Sequence, residues 1–189
     1  MIFKKNSLII VKIMQRLHLL ACGLLCFMLP GCEGNHLDFY RTKEPKMDFR
    51  HFFEGDIEGS GAFFDFRGRQ IRSFYIKINC SWADDILTMK EWFDFDDGEK
   101  LERQWEITFK NGRVVQGLAS DVIGSATGEQ VGSAINLHYI LQIPYRDHKI
   151  NISMDDWMYA LSKDSVLNRT AMRKFGFKVG EMVLILKKL

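Results

Sequence analysis

From Asp56 onward the chain repeats with a period of two, and this repeat narrows its possible folds more than any other feature. Phe74, Ile76, Ile78 and Cys80 share one parity, while Tyr75, Lys77 and Asn79 take the other. Leu87, Met89, Phe93 and Phe95 form a second apolar face, and Trp105, Ile107 and Phe109 form a third. The clearest run is Ile135, Leu137, Tyr139, Leu141 and Ile143, opposed by Asn136, His138 and Gln142; Ile150, Ile152, Met154 and Met158 follow it. Successive side chains of a strand point to opposite faces, so each run describes a strand with one buried side. A last strand is expected over 177–186.

Turn residues separate these runs: Arg67-Gly68-Arg69, Asp96-Asp97-Gly98-Glu99, Asn111-Gly112 and Tyr145-Arg146-Asp147-His148. Asn-Gly and Asp-Gly tolerate the positive φ of tight hairpins. Seven to nine short strands joined by such turns predict an all-β fold, an up-and-down antiparallel barrel or strongly curled meander with one short helix. The glycine-rich stretch 124–132 is expected as a short helix or loop, and 165–174 as a helical turn. Gly124, Gly128 and Gly132 do not make a phosphate loop, because the Lys-Ser/Thr pair of that motif is missing.

The first thirty-two residues read as a signal peptide. Basic residues precede a short apolar core, 17–29, that ends at Pro30-Gly31-Cys32. Translation from Met14 instead of Met1 would give a compact version of the same signal. Leu29-Pro30-Gly31-Cys32 resembles a lipobox, in which Cys32 is lipidated and becomes the mature N-terminus. Leu19-Leu20-Ala21-Cys22 fits the short pattern better, but cleavage there would leave an apolar decapeptide on the mature protein, and from Met14 too little core would precede it. Glu33 follows the cysteine; by resemblance to enterobacterial lipoproteins, where aspartate at this place means inner-membrane retention, it favours the outer membrane, with the protein facing the periplasm. Residues 33–55 are then a tether and first ordered segment, in which Phe49, Phe52 and Phe53 plug one barrel end, and 56–189 form the barrel.

Charge and cysteine usage exclude several functions. Residues 1–31 hold four of the 26 Lys and Arg and no acid, so the remainder carries 22 basic against 24 acidic side chains. No basic excess remains there to release counterions from nucleic acid. With Cys22 and Cys26 in the signal and Cys32 lipidated, only Cys80 is left, so no disulfide can staple the domain; its parity makes it a small core residue. His51, His138 and His148 lack metal-ligand spacing, and 94–99 lack the ligand pattern of a calcium loop. No metal or cofactor is expected.

Three blocks carry a resemblance: Glu44-Pro45-Lys46-Met47-Asp48 with Phe52-Phe53-Glu54-Gly55; Ser120-Asp121-Val122-Ile123-Gly124-Ser125-Ala126-Thr127-Gly128-Glu129; and Asp155-Asp156-Trp157-Met158-Tyr159, continuing through Asn168-Arg169 and 172–181. Over the mature region the chain resembles an uncharacterised family of Gram-negative envelope lipoproteins, a domain-of-unknown-function family. The resemblance implies a lipocalin-like barrel and an envelope lipoprotein. It implies no reaction and no catalytic residues.

The chemically informative anomaly is acid on apolar strand faces. Glu91 shares parity with Met89 and Phe93, Asp156 with Met154 and Met158, and Glu181 lies between Val179 and Val183. A buried carboxylate needs a partner, and Arg103, Arg169 and Arg173 are the candidates. Either these groups form structural ion pairs, or they grip the polar head of an amphiphile inside the barrel. The second reading makes Glu91, Trp105, Tyr139, Asp156, Arg169 and Arg173 ligand-binding residues. The expected function is a lipid-anchored periplasmic barrel binding a lipid-like ligand, a fatty acid or phospholipid. The alternatives are a closed barrel serving as a scaffold for envelope protein partners, and an envelope-lipid enzyme using the carboxylates as acid and base.

Overall fold

The structure is a computed structural model that describes residues 37–189. The signal peptide and the Cys32 lipobox lie outside the described residues. Within them, ten antiparallel strands form one closed barrel: β1 (Gly55–Asp65), β2 (Gln70–Ala83), β3 (Ile86–Phe95), β4 (Lys100–Lys110), β5 (Arg113–Ala119), β6 (Val122–Val131), β7 (Ala134–Tyr145), β8 (His148–Ser162), β9 (Ser165–Lys174) and β10 (Phe177–Lys188). Each strand pairs with its neighbours in sequence, and β10 returns to pair with β1, from Ile57↔Lys188 to Asp65↔Gly180. This up-and-down, lipocalin-like barrel buries its own core within the described residues.

The alternating pattern explains which way each strand faces. Phe74, Ile76, Ile78 and Cys80 of β2 point inward, as do Leu87, Met89, Glu91 and Phe93 of β3, with the residues between them less buried. Burial drives the buried Cys80 thiol up to about 12, which removes its thiolate and leaves it a packing residue. The hairpin turns fall where Gly and Asn allow a left-handed backbone: Asn111 and Gly112 take φ of 52° and 74°.

Two expectations are corrected. Residues 165–174 form strand β9, not a helical turn. Its inward positions are Val166, Asn168, Thr170 and Met172, and the two polar members hide the apolar alternation. Residues 124–132 belong to β6 and the turn after it, not to a helix or flexible loop. Ala126 is buried facing the barrel, and register shifts on both sides of the strand interrupt the ladder, so small residues and bulges blur the period-two signal there.

One end of the barrel is closed from outside the sheet. A 3-10 turn, Leu37–Tyr40, lies on the outer wall, where the Tyr40 ring packs 5.7 Å from Trp157 and 5.3 Å from Tyr159. The chain then passes beneath the barrel as helix α1 (Phe49–Phe52), whose Asp48 side chain accepts the His51 backbone N–H at 3.0 Å as an N-cap. Phe49, Phe52 and Phe53 are all buried across the opening, as the sequence predicts. Trp82 Nε1 donates to the Phe53 carbonyl at 2.6 Å, and the Gln130 amide oxygen accepts the Phe49 N–H at 3.1 Å. Gly132 permits this docking: its φ is 56°, and a Cβ there would stand 1.8 Å from the Tyr40 carbonyl oxygen. Gly132→Ala is therefore expected to lower stability by about 1–3 kcal/mol, the scale of a strained backbone position. Thermal unfolding checks this, and an unchanged midpoint would mean that the chain at Tyr40 and Arg41 does not lie against the Gly132 turn.

Candidate functional site

Because α1 closes one end only, the barrel is a cup. Its cavity has a volume of about 860 Å³, within the range of about 300–1,000 Å³ usual for small-molecule pockets. Phe49 and Phe53 form the floor, together with Ile78, Ile107 and Leu186. Phe74, Phe93 and Phe95 pack together along one wall, with ring centroids 5.6–5.8 Å apart. Met154, Met172 and Met182 line the cavity on the β8–β9–β10 side and supply soft, adaptable apolar surface. The mouth lies at the end where β1–β2, β3–β4, β5–β6, β7–β8 and β9–β10 turn, bordered by Ile71, Arg72, Glu99, Leu101, Gln142 and Lys149.

Two polar groups interrupt the apolar wall. On β3 and β4, Arg103 Nε donates to Glu91 Oε2 at 2.6 Å, and a second guanidinium nitrogen lies 3.5 Å from Asp121 Oδ2, in the turn between β5 and β6. The register places Glu91 opposite Arg103, so adjacent strands bring the pair together inside the barrel. Burial works against the Arg103 charge, but the Glu91 and Asp121 carboxylates and the Tyr139 hydroxyl raise its pKa further above its ordinary value. The guanidinium stays charged and is already neutralised.

On β7, β8 and β9, Tyr139 donates to Asp156 Oδ2 at 3.2 Å, and the Asn168 amide donates to the other carboxylate oxygen. Burial raises the Asp156 pKa above its ordinary value, opposed by the hydrogen bonds from Asn168 and Tyr139 and by the Arg103 charge. Burial also lifts Tyr139 well above the ordinary phenol value, with Asp156 adding to the effect. Tyr139 and Asn168 give this second cluster hydrogen-bonding groups that carry no cation. Its edge-on Trp105 neighbour stands 5.4 Å from the Tyr139 ring.

The structure therefore gathers Glu91, Trp105, Tyr139 and Asp156 around one cavity. It does not bring Arg169 and Arg173 there. Both have the parity opposite to Asn168, Thr170 and Met172 and so stand on the outer wall, where Arg169 pairs with Glu181. Glu181 is turned outward as well, since Met182 and Leu184 take the inward positions, and Arg169 and Lys178 overcome its partial burial to hold its pKa low. Asp155 also faces outward and accepts hydrogen bonds from Asn136 and Trp157 at 2.8 and 2.9 Å, so the consecutive Asp155 and Asp156 stand on opposite faces of the wall. The alternating Asp155-Asp156-Trp157-Met158-Tyr159 thus has two tasks: Asp156 and Met158 line the cavity, and Trp157 and Tyr159 seat Tyr40 outside.

Parity reasoning missed Asp121, Asn168 and Thr170. Asp121 sits in a turn, where parity has no meaning, and the other two are polar residues that no apolar pattern selects. Among the described residues, no group of three or more His, Cys, Asp or Glu side chains is placed to hold a metal ion.

A family model described as a protein of unknown function, DUF3833, matches residues 26–188. The barrel is similar to the crystal structure of a protein of unknown function from the DUF3598 family of Nostoc punctiforme. The TM-score is 0.52 at 11% identity, covering 77% of this chain and 50% of that one. That likeness concerns the fold alone, and this chain spans half the length of the Nostoc protein. No curated protein matches.

Proposed function

As the chain belongs to the DUF3833 family of proteins of unknown function, we propose its role from the cavity: the barrel binds one lipid-like amphiphile, a fatty acid or phospholipid, while lipid on Cys32 holds it to the outer membrane, facing the periplasm. The observation that carries this reading is a cup of about 860 Å³, walled mainly by apolar side chains, floored by α1 and open at the opposite end. Such a shape accepts an acyl chain tail first, because burying apolar surface contributes about 25 cal/mol per Å².

The charges determine where the head rests. Arg103 is already held by Glu91 and Asp121, and Arg169 and Arg173 are outside, so among the described residues the interior offers an anionic head no unpaired cation. The basic side chains that line the cavity near the mouth are Arg72, which is held by Asp97 and Glu99, and Lys149. An anionic head therefore stays at the mouth beside Lys149, and the Tyr139–Asp156 pair meets a neutral group such as an ester or hydroxyl further down.

Native mass spectrometry of residues 33–189, produced in a periplasm without the lipid anchor, tests the reading. A discrete added mass of lipid size is expected, and it is expected to be reduced in Met154→Trp/Met172→Trp/Met182→Trp, which narrows the cavity from three adjacent strands, in a chain that still unfolds cooperatively. A bare chain that stays bare after exposure to total envelope lipid would overturn the reading and favour a scaffold for envelope proteins.

A further inference from the structure

The five hairpins around the mouth differ chemically. In order around the ring they are β7–β8, β9–β10, β1–β2, β3–β4 and β5–β6, so the first three adjoin one another. Each of these three presents an aromatic ring beside a cation. The Arg146 guanidinium lies 5.4 Å from the Tyr145 ring, the Lys174 ammonium 4.9 Å from Phe175, and the Arg67 guanidinium 5.1 Å from Phe66. Phe66, Phe175 and Phe177 are 64%, 87% and 77% exposed. Phe175 also has a φ of 52°, a left-handed conformation that bulky residues rarely take. A single exposed aromatic needs no explanation, but aromatics on three adjoining hairpins at the opening of an apolar cavity do.

Charge divides the rim in the same way. Residues 65–69, 145–149 and 173–181 hold seven Lys and Arg against three Asp and Glu, whereas 94–100 and 119–122 hold one against five. Arg69 and Lys178 are tied to Asp65 and Glu181. Arg67, Arg146, Lys149 and Lys174 have no salt-bridge partner among the described residues.

We infer that this arc docks the barrel, mouth down, on a phospholipid bilayer that carries anionic headgroups. An aromatic ring beside a cation suits the bilayer interface, where the ring enters the acyl boundary and the charge stays among the headgroups. The unpaired cations complement the negative surface. The acidic β3–β4 hairpin is repelled, so the barrel sits tilted with its aromatic edge in the lipid. The apolar groups stand on separate hairpin tips, which suits insertion between lipids better than the flat, close-packed core of a protein interface. Docking does not require a filled cavity, so it stands or falls separately from ligand uptake.

Vesicle flotation of residues 33–189 without the lipid anchor tests the inference, with phosphatidylcholine alone against phosphatidylcholine containing phosphatidylglycerol. Binding is expected to the anionic vesicles, weakening as salt rises. Arg67→Glu/Arg146→Glu/Lys174→Glu is expected to reduce the partition constant at least about tenfold, and Phe66→Ser/Phe175→Ser/Phe177→Ser is expected to reduce it severalfold. Lys77→Glu/Lys90→Glu/Lys110→Glu makes the same change in net charge at exposed sites away from the mouth and is expected to leave binding intact. Equal loss in this control would reduce the effect to bulk charge and overturn the docking arc. Absence of binding to anionic vesicles, or equal binding to both kinds, would overturn it too.

Discussion

Arg103→Leu is expected to destabilise the barrel by about 3–5 kcal/mol, the cost of leaving a buried carboxylate without its counter-charge. Glu91 is 7% exposed, and its hydrogen bond to Arg103 at 2.6 Å is made inside the cavity. The arginine also approaches Asp121, so one substitution strips two acids of the same cation. The loss belongs to the stranded charge and not to any large net value of the pair, because desolvating both ions offsets most of their attraction. Glu91→Leu/Arg103→Leu should therefore recover most of the stability lost in Arg103→Leu. Urea unfolding of the two variants and the parent at neutral pH measures this. Equal destabilisation by the single and double replacements would show that the side chains act by packing, and that their charges are incidental.

Phe53→Ala is expected to have a comparable effect, about 3–5 kcal/mol for a fully buried phenylalanine, with a second consequence for the cavity. Phe53 is buried with its ring centroid 4.7 Å from Phe49 and 5.0 Å from Phe52, and its carbonyl holds the Trp82 indole. Its removal takes away one of the two phenylalanines that α1 and its C-cap contribute to the floor. Ligand release from Phe53→Ala should therefore be faster than the loss of stability alone explains, while Phe53→Leu should restore retention and much of the stability. Thermal melts and release of a fluorescent fatty acid, run on both variants, separate the two effects. Unchanged release from a folded Phe53→Ala barrel would mean that the floor is formed by Phe49 and the surrounding wall.

Strands whose inward faces are wholly or mostly apolar, β2, β3, β7 and β8, were legible because hydrophobic burial and the two-residue period of a strand leave the same mark. β9 was not, since two polar residues, Thr170 and the Asn168 that bonds Asp156, occupy its inward positions. β6 was not, because it faces the interior with small residues and departs from register. Acid on an apolar parity identified Glu91 and Asp156, and Arg103 follows as the partner that register supplies. The same rule misplaced Glu181, whose neighbours Val179 and Val183 look like a core face but belong to the outer wall. Parity names two faces without saying which is inside, and where both carry apolar residues only closure of the barrel decides. The rim was illegible for a related reason: Phe66 and Phe175 flank or occupy turns, where sequence shows an aromatic but not what surrounds it.

The seam between β1 and β10 orders assembly in time. Every other ladder joins strands that follow one another along the chain and can zip as soon as its hairpin has formed. The pairing of Ile57 with Lys188 and Gly59 with Leu186 must wait for the far end of the chain. Until it forms, the sheet has two free edges, the state in which strands recruit one another between molecules. Such long-range pairing is slow to find. At Gly59 the strands approach so closely that a Cβ would stand 2.5 Å from the Ile185 carbonyl oxygen. A backbone stripped of side chains at that point lets the last contact close without first moving anything aside.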